Sequence, residues 1–469
     1  MSSQKIISAG YILIFFVATS LRLALALTNR ESNDNHIFPV RFIMLTNKLP
    51  SIDQQGESYQ PKLYYYIIAR VAKIEKINPG DKNGLILIGQ MVNCIAGIVI
   101  VSTVFMLIKD LQAIRGEFKL IAFALAALNP DLIAINGQAT NDTFVILFCS
   151  LGLYFAYIFL KNSEIIYFIL SIIFVSLAIA TKTNAWVTGI AISLSVFIKA
   201  FSSKRHRYLG FSYAAIFALS LPLLAFLNPL TQYAYNIRKY GQPILTTMDK
   251  GPLPPIWGEN FIPEAGIVSI HDGFFTFKII DLLKDPVINL DPEVYQSHRT
   301  SLWTQLYGRA NSAHFPNWPP TWANTSKYLL WLTRVIFLLA LLPTFLLLVG
   351  LTAESMQFAK CFLSQSEICL QDVDYGLFTI TFAGYLAFAA VYAYEYRIFS
   401  VMKSIFVLPS LLAIVLIFIK GTKTLVTIFH KRTNELTFVF AGIIILLLSL
   451  YITDIAILIN QLAHTTTPF

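Results

Sequence analysis

The residues best suited to chemistry lie in polar stretches between long apolar runs. The first stretch, residues 28–83, carries Glu31, Asp34, His36, Glu57, Tyr59, Gln60 and Lys62. A carboxylate just past an apolar run borders a partly apolar environment, which raises its basicity and makes Asp34 a candidate general base. The competing reading of Asp34 is a helix cap, because His36–Asn47 has a weakly amphipathic pattern and could begin there. Glu57 precedes Gln60-Pro61, and the proline holds Gln60 extended and suits the first turn of a helix over Leu63–Lys76. The Tyr64-Tyr65-Tyr66 cluster suits an interfacial belt as well as a sugar platform. Asn141-Asp142 heads another apolar run and reads either as a substrate contact or as that helix's cap.

Three cations, Lys182, Arg397 and Lys403, stand at the ends of apolar runs on what the pattern makes the outer side. A charge near the bilayer centre costs about 2.5–3.5 kcal/mol on insertion scales, and less near the interface. Such cations need an anion. A lipid phosphate would serve, and fixed cations are what a phosphate leaving group requires as its bond breaks. A neighbouring carboxylate such as Glu395, or snorkelling to water, would also satisfy them. Arg41, Lys48 and Lys62 in the first stretch could act alongside.

The elements that hold these residues follow from composition. Of 469 residues, 56% are hydrophobic and 13% charged, with a mean hydropathy of +0.63. Soluble domains carry about 25% charged residues, so the surrounding medium is lipid. In lipid only helices or closed barrels span, and the apolar runs are too long for barrel strands. The sequence thus predicts an all-α polytopic membrane protein. It should have about eleven transmembrane helices, outer-face amphipathic helices and a small extracytoplasmic segment. Expected spans are Ile6–Leu27, Gly84–Ile108, Phe118–Ile135, Thr143–Leu160, Ile165–Ala180, Asn184–Ile198 and Leu209–Leu227. Four more follow at Tyr328–Gly350, Tyr375–Ala393, Ile398–Ile419 and Leu436–Leu458. The organisation is residues 1–227, containing the first outer loop, then an extracytoplasmic segment over 228–326, then residues 327–469.

The first run lacks a cleavage site and is read as a retained span with its N-terminus in the cytoplasm. Lys109, Arg115, Lys161, Lys199, Lys204, Arg205, Arg207, Lys360, Lys420, Lys423, Lys431 and Arg432 then gather in inner loops, a positive-inside pattern. This accounts for the net charge of +9 without nucleic acid. The basic first loop, outside, is the exception. The segment 228–326 holds Trp257, Trp303, Trp318 and Trp322, with His271-Asp272, Tyr295, His298, Tyr307 and His314. These suit sugar faces and hydroxyls, and equally a small domain lying on headgroups, which best explains Trp318 and Trp322. No spacing among the histidines supports zinc. Cys94, Cys149, Cys361 and Cys369 show no pairing and read as small buried hydrophobes.

The order of the motifs is more specific than any one of them. Asn33-Asp34-Asn35-His36, then Leu49-Pro50, Glu57 and Tyr59-Gln60-Pro61-Lys62-Leu63-Tyr64-Tyr65 resembles the first outer loop of the GT-C superfamily of glycosyltransferases. It looks most like the bacterial branch of protein O-mannosyltransferases and aminoarabinose transferases. Asn129-Pro130, Ala139-Thr140-Asn141-Asp142-Thr143 and Ala180-Thr181-Lys182-Thr183 match the same style, and Arg397 to Lys403 with Pro409 matches more weakly. The resemblance implies a polyprenyl-phosphate-linked sugar donor and a lipid, glycan or protein acceptor. It also implies an extracytoplasmic site, inversion at the anomeric carbon, and an acidic first-loop residue, here Asp34, that positions or deprotonates the acceptor. Asp142 would be a second acidic contact, to the sugar or to a divalent metal in members that use one. Many relatives have two adjacent acidic residues where Asn33 and Asn35 flank a single Asp. A bacterial inner or plasma membrane is the expected location. Two other functional classes share this layout: a transporter or flippase of a lipid-linked substrate, and a non-catalytic subunit of envelope assembly. The outer placement of the charges favours surface chemistry over transport.

Overall fold

The computed structural model describes residues 3–31, 35–111, 114–202, 207–246, 269–287, 296–314, 322, 326–396, 401–428 and 433–464. Among them all regular structure is helical. α1 (Ser3–Thr28) leads into two short helices, α2 (Ile37–Thr46) and α3 (Leu63–Ile74). Next come α4 (Lys82–Asp110), α5 (Gly116–Ala127), α6 (Pro130–Asn136), α7 (Asp142–Asn162), α8 (Ile165–Thr181), α9 (Trp186–Ser202) and α10 (Arg207–Leu227). The polar segment contains α11 (Tyr233–Tyr240), α12 (Ile270–Phe274), α13 (Ile279–Lys284) and α14 (Leu302–Asn311). The chain ends with α15 (Lys327–Ser364), α16 (Glu367–Asp372), α17 (Leu377–Tyr396), α18 (Leu411–Ile428) and α19 (Thr433–His464).

Among the described residues nine helices are long and apolar enough to cross a membrane, or ten if the bent pair α5–α6 is one span. That is below the eleven expected. With the bent pair counted, the remaining expected span is α8, whose 17 residues reach about 26 Å at 1.5 Å per residue, at the short end of the range for a crossing. Large apolar side chains such as Ile12, Phe16, Leu219 and Val391 point outward, as lipid-facing helices require.

The bend between α5 and α6 is 45° and has a local cause. Pro130 has no N–H for the preceding turn, and the Asn129 side chain accepts from Leu132 N at 2.9 Å, starting a new helix. Breaking a helix in lipid strands backbone carbonyls. Arg22, fully buried on α1, meets that need. Its guanidinium donates to Ala127 O at 2.8 Å, Ala18 O at 3.0 Å and Asn136 Oδ1 at 2.9 Å. A basic residue inside the first span therefore holds the broken helix against α1.

The end of the bundle away from the first loop is basic. Lys199 caps the end of α7 through Leu160 O at 2.6 Å and Ser163 Oγ at 2.8 Å. Lys420 pairs with Glu354 at 2.6 Å and lies 3.7 Å from Asp374. Cys361 and Cys369 form a disulfide, with Cα atoms 5.3 Å apart, which corrects their reading as unpaired. Gln365 turns into the left-handed region at φ 50°, folding α16 back on the end of α15. Periodicity does not reveal that reversal. Cys94 and Cys149 are free and buried, as expected.

α15 and α18 pack backbone to backbone. A Cβ at Gly350 would lie 2.0 Å from Ile417 O, and one at Gly421 1.9 Å from Leu346 O. Small residues permit such approach between membrane helices. Gly350→Ala or Gly421→Ala should force the helices apart and destabilise by about 1–3 kcal/mol, seen as a lower melting temperature in detergent. Gly442→Ala, with nothing within 4 Å of its Cβ, should leave melting unchanged or raise it slightly.

Candidate active site

The loop joining α6 to α7, residues 137–141, is the centre of a polar cluster. Its backbone is held from two sides. Asn93 on α4 donates to Gln138 O at 2.6 Å and Thr140 O at 2.7 Å. Asn29, just past α1, donates to Gly137 O at 3.1 Å. Gly89 allows α4 to approach, because a Cβ there would sit 2.8 Å from Ala139 Cβ.

A chain of hydrogen bonds runs through this loop. Tyr65 OH is 2.9 Å from His36 Nδ1, and His36 Nε2 is 3.2 Å from Thr140 Oγ1. Thr140 donates to Asp142 Oδ2 at 3.0 Å, and Lys182 Nζ contacts Asp142 Oδ1 at 2.5 Å. A carboxylate only accepts, so the Thr140 proton points to Asp142. The consistent assignment has His36 donating from Nε2 to Thr140 and accepting from Tyr65 at Nδ1. Burial, reinforced by the charge of Glu57, pushes the Tyr65 hydroxyl well above its ordinary range, so it stays a donor. Tyr65, His36, Thr140 and Asp142 are all buried.

Lys182 follows α8 with an extended backbone and leads into a turn at Thr183–Ala185. The Lys182–Asp142 side chains are only 12% and 6% exposed, and the ammonium lies 5.2 Å over the Phe406 ring. The anion compensating this cation is Asp142. The Asp142 carboxylate turns to Thr140 and Lys182, and the cap position of α7 belongs to Asn141, which makes no side-chain cap bond. Instead Asn141 Nδ2 reaches Thr181 O at 3.4 Å. The cap position of α2 is likewise His36, also without a side-chain cap bond.

A second polar group adjoins the first. Ser404 donates to Asp131 Oδ2 at 2.5 Å. α14 lies over α6, tied by Asn129 Nδ2 to Ala310 O at 2.9 Å, and brings the buried Arg309 towards Asp131. Burial lowers the Arg309 guanidinium to about 10, against the raising influence of Asp131, so it remains a cation at neutral pH. Lys403, half-buried, immediately precedes Ser404.

Of the residues singled out from sequence, His36, Asn141, Asp142 and Lys182 come together directly. Lys403 precedes Ser404, which bonds Asp131 in the second polar group. Asp34 and Arg397 lie outside the described residues, as do Trp257, Tyr295 and Trp318. Gln60 and Lys62 build the first loop itself: the Lys62 ammonium contacts Ser58 O and Gln60 O, and Lys62 N bonds Leu230 O at 2.6 Å. Glu57 and Tyr59 lie close enough for their charges to act on Tyr65. Trp322 is fully buried and aims its indole N–H at Asn29 Oδ1, 3.4 Å away, so it is a packing residue, not a belt residue. Burial holds the His298 imidazole down to about 4 and hence neutral. Sequence reasoning missed the parts played by Thr140, Asp131, Ser404 and Arg309. Thr140 is inside a quoted motif, while Ser404 and Arg309 reach Asp131 only through the fold. Among the described residues no three His, Cys, Asp or Glu groups could hold a metal. Asp142 is engaged by Lys182 and Asp131 by Ser404, so these residues do not fit a resident divalent ion.

Comparison with known proteins agrees with this architecture. In fold the chain is similar to solved membrane glycosyltransferases. More particularly, residues 60–226 match the family described as dolichyl-phosphate-mannose-protein mannosyltransferase. The oligosaccharyltransferase of Archaeoglobus fulgidus, in complex with zinc and sulfate, shares the fold at 14% identity and a TM-score of 0.52. That alignment covers 97% of this chain and 54% of the archaeal one, so the chain spans about half the length of that protein. The same enzyme tethered to an acceptor peptide containing the NVT sequon aligns at 12% identity and a TM-score of 0.49, over 98% of this chain and 56% of that one. ArnT from Cupriavidus metallidurans bound to undecaprenyl phosphate aligns at 11% identity and a TM-score of 0.32, over 84% of this chain and 80% of that one. No curated protein matches the chain in sequence.

Removing one partner of a buried ion pair leaves a bare charge, at about 3–5 kcal/mol. Asp142→Asn should therefore lower the melting temperature in detergent markedly. Adding Lys182→Gln should restore most of the loss, a coupling a double-mutant cycle measures directly. Additive losses would show that the two side chains do not depend on each other.

Proposed function

We propose that this protein transfers a sugar from a polyprenyl-phosphate donor to an acceptor hydroxyl at the end of the bundle that carries the first loop. The observation that carries this reading is the buried Lys182–Asp142 pair, linked through Thr140 to His36, two residues from Asp34. It joins a fixed cation to the loop bearing the candidate base. The matched family's description, dolichyl-phosphate-mannose-protein mannosyltransferase, supports a lipid-phosphate-linked sugar as the donor class. The acceptor is a lipid, glycan or protein hydroxyl.

In this mechanism the donor's phosphate takes the place of Asp142 on Lys182, and Arg309, Arg397 and Lys403 add positive charge around it. Released from Lys182, the Asp142 carboxylate keeps its bond from Thr140 and faces the sugar. Glu57, Tyr59, Gln60 and Lys62 shape the acceptor entrance. Asp34 takes the acceptor's hydroxyl proton as the acceptor oxygen bonds the anomeric carbon. The bond from that carbon to the phosphate oxygen breaks, and its electron pair leaves with the polyprenyl phosphate. A single displacement inverts the anomeric carbon. Cations held in a water-poor site stabilise the leaving phosphate before the bond breaks, so little reorganisation opposes the step. With positive charge at the opposite end, this end faces away from the cytoplasm.

Purified protein in detergent, given radiolabelled polyprenyl-phosphate mannose and an acceptor, should transfer label with no membrane barrier present. A protein that only transports or flips lipid would not. Asp34→Asn should cut transfer by about 100-fold or more, the scale of general-base catalysis, with membrane-inserted protein unchanged. Normal transfer by that variant would reject Asp34 as the base.

A further inference from the structure

Among the described residues four buried carboxamides around the site, Asn93, Gln138, Asn141 and Asn184, have unmet hydrogen-bonding groups, and the last two stand next to the ion pair in the chain. Asn184 is 3% exposed, and neither its Oδ1 nor its Nδ2 has a partner. Asn141 is fully buried, and its Oδ1 has none. Nearly all buried polar groups in folded proteins are satisfied, and each exception calls for an explanation. A leucine of similar size would fill either place without that penalty.

Their position is informative. Asn184 lies in the short turn that begins just after Lys182. Asn141 immediately precedes Asp142, and its Nδ2 bonds Thr181 O, the residue before Lys182. These two carboxamides therefore flank the cation and the carboxylate of the central pair. A carboxamide is neutral, so neither can replace Lys182 as a phosphate ligand. It offers one acceptor and a donor side by side, which matches two adjacent hydroxyls on a pyranose, one donating and one accepting. In a sugar phosphate the ring is bonded directly to the phosphate. Groups that read its hydroxyls must therefore stand beside the phosphate cation.

We propose that Asn184 and Asn141 read the hydroxyls of the donor sugar, Asn184 engaging a neighbouring pair and Asn141 accepting from a third. This rests on the reading of Lys182 as the phosphate ligand. Both carboxamides are closed over while Lys182 lies on Asp142. Movement of the ammonium to the phosphate opens them, so sugar recognition is coupled to phosphate binding. Both act by orienting the sugar, and neither takes part in the proton transfer.

The test compares wild type with Asn184→Leu and Asn141→Leu in two measurements. In thermal melting without lipid, Asn184→Leu should melt at or above the wild-type temperature, because it removes unmet polar groups. A fall of several degrees would make the carboxamide structural and overturn the proposal. In binding, wild type should hold at least one member of a panel of polyprenyl-phosphate hexoses about tenfold more tightly than bare polyprenyl phosphate, the worth of one or two hydrogen bonds. Asn184→Leu should bring that ratio to about one while bare-lipid affinity stays the same, and Asn141→Leu should reduce it in part. A wild-type ratio of one for every hexose, or an unchanged ratio in Asn184→Leu, would overturn the proposal but leave the phosphate site standing. Failure of wild type to bind even the bare lipid phosphate would overturn the phosphate site itself, and sugar reading with it.

Discussion

An ammonium and a carboxylate withdrawn from water each lose several kcal/mol of hydration, even after the protein relaxes around them. Asp142 and Lys182 are withdrawn in this way, at the head of α7 and just past the foot of α8. Their contact brings the ends of these antiparallel helices together and fixes the loop between α6 and α7. Through Thr140 it also fixes His36 and hence the start of α2. A pair of this kind is poor value as a stabiliser, because well-packed hydrophobes of the same volume would often do better. Its retention in an apolar frame makes sense if one partner is exchanged during work, with a lipid phosphate replacing the carboxylate.

The frame is adapted to present that pair. A continuous helix through residues 116–136 would carry α6 straight on. The Asn129-Pro130 break turns it by 45°, and Arg22 takes up a carbonyl beside the break, Ala127 O. The turned segment puts Asp131 under Ser404 and Arg309, and delivers residues 137–141 to the site. One helix break thus sets both polar groups, and an arginine inside the first span makes the break tolerable in lipid.

Much of this was legible in the sequence. The amphipathic pieces at His36–Asn47 and Leu63–Lys76 correspond to α2 and α3, because a helix lying on a core shows its period locally. Asp142 and Lys182 stood out because charges at span ends need partners, although their mutual pairing is a matter of how α7 packs on α8. Arg22 was hidden within an apolar run, where hydropathy averages it away. Ser404 and Arg309 were hidden because they are far from Asp131 in the chain. The Cys361–Cys369 bridge depends on a left-handed residue at Gln365 that no periodicity reports. The membrane class itself was the firmest inference, because composition leaves no other solvent for so many apolar residues.

The exchange of Asp142 for phosphate on Lys182 is the central claim, and a structure determined with bound polyprenyl phosphate tests it most directly. The phosphate should lie within hydrogen-bonding distance of Lys182 Nζ, with the Lys182–Asp142 contact opened from its 2.5 Å and the Thr140–Asp142 bond kept. A phosphate bound elsewhere, with the Lys182–Asp142 pair intact, would contradict it.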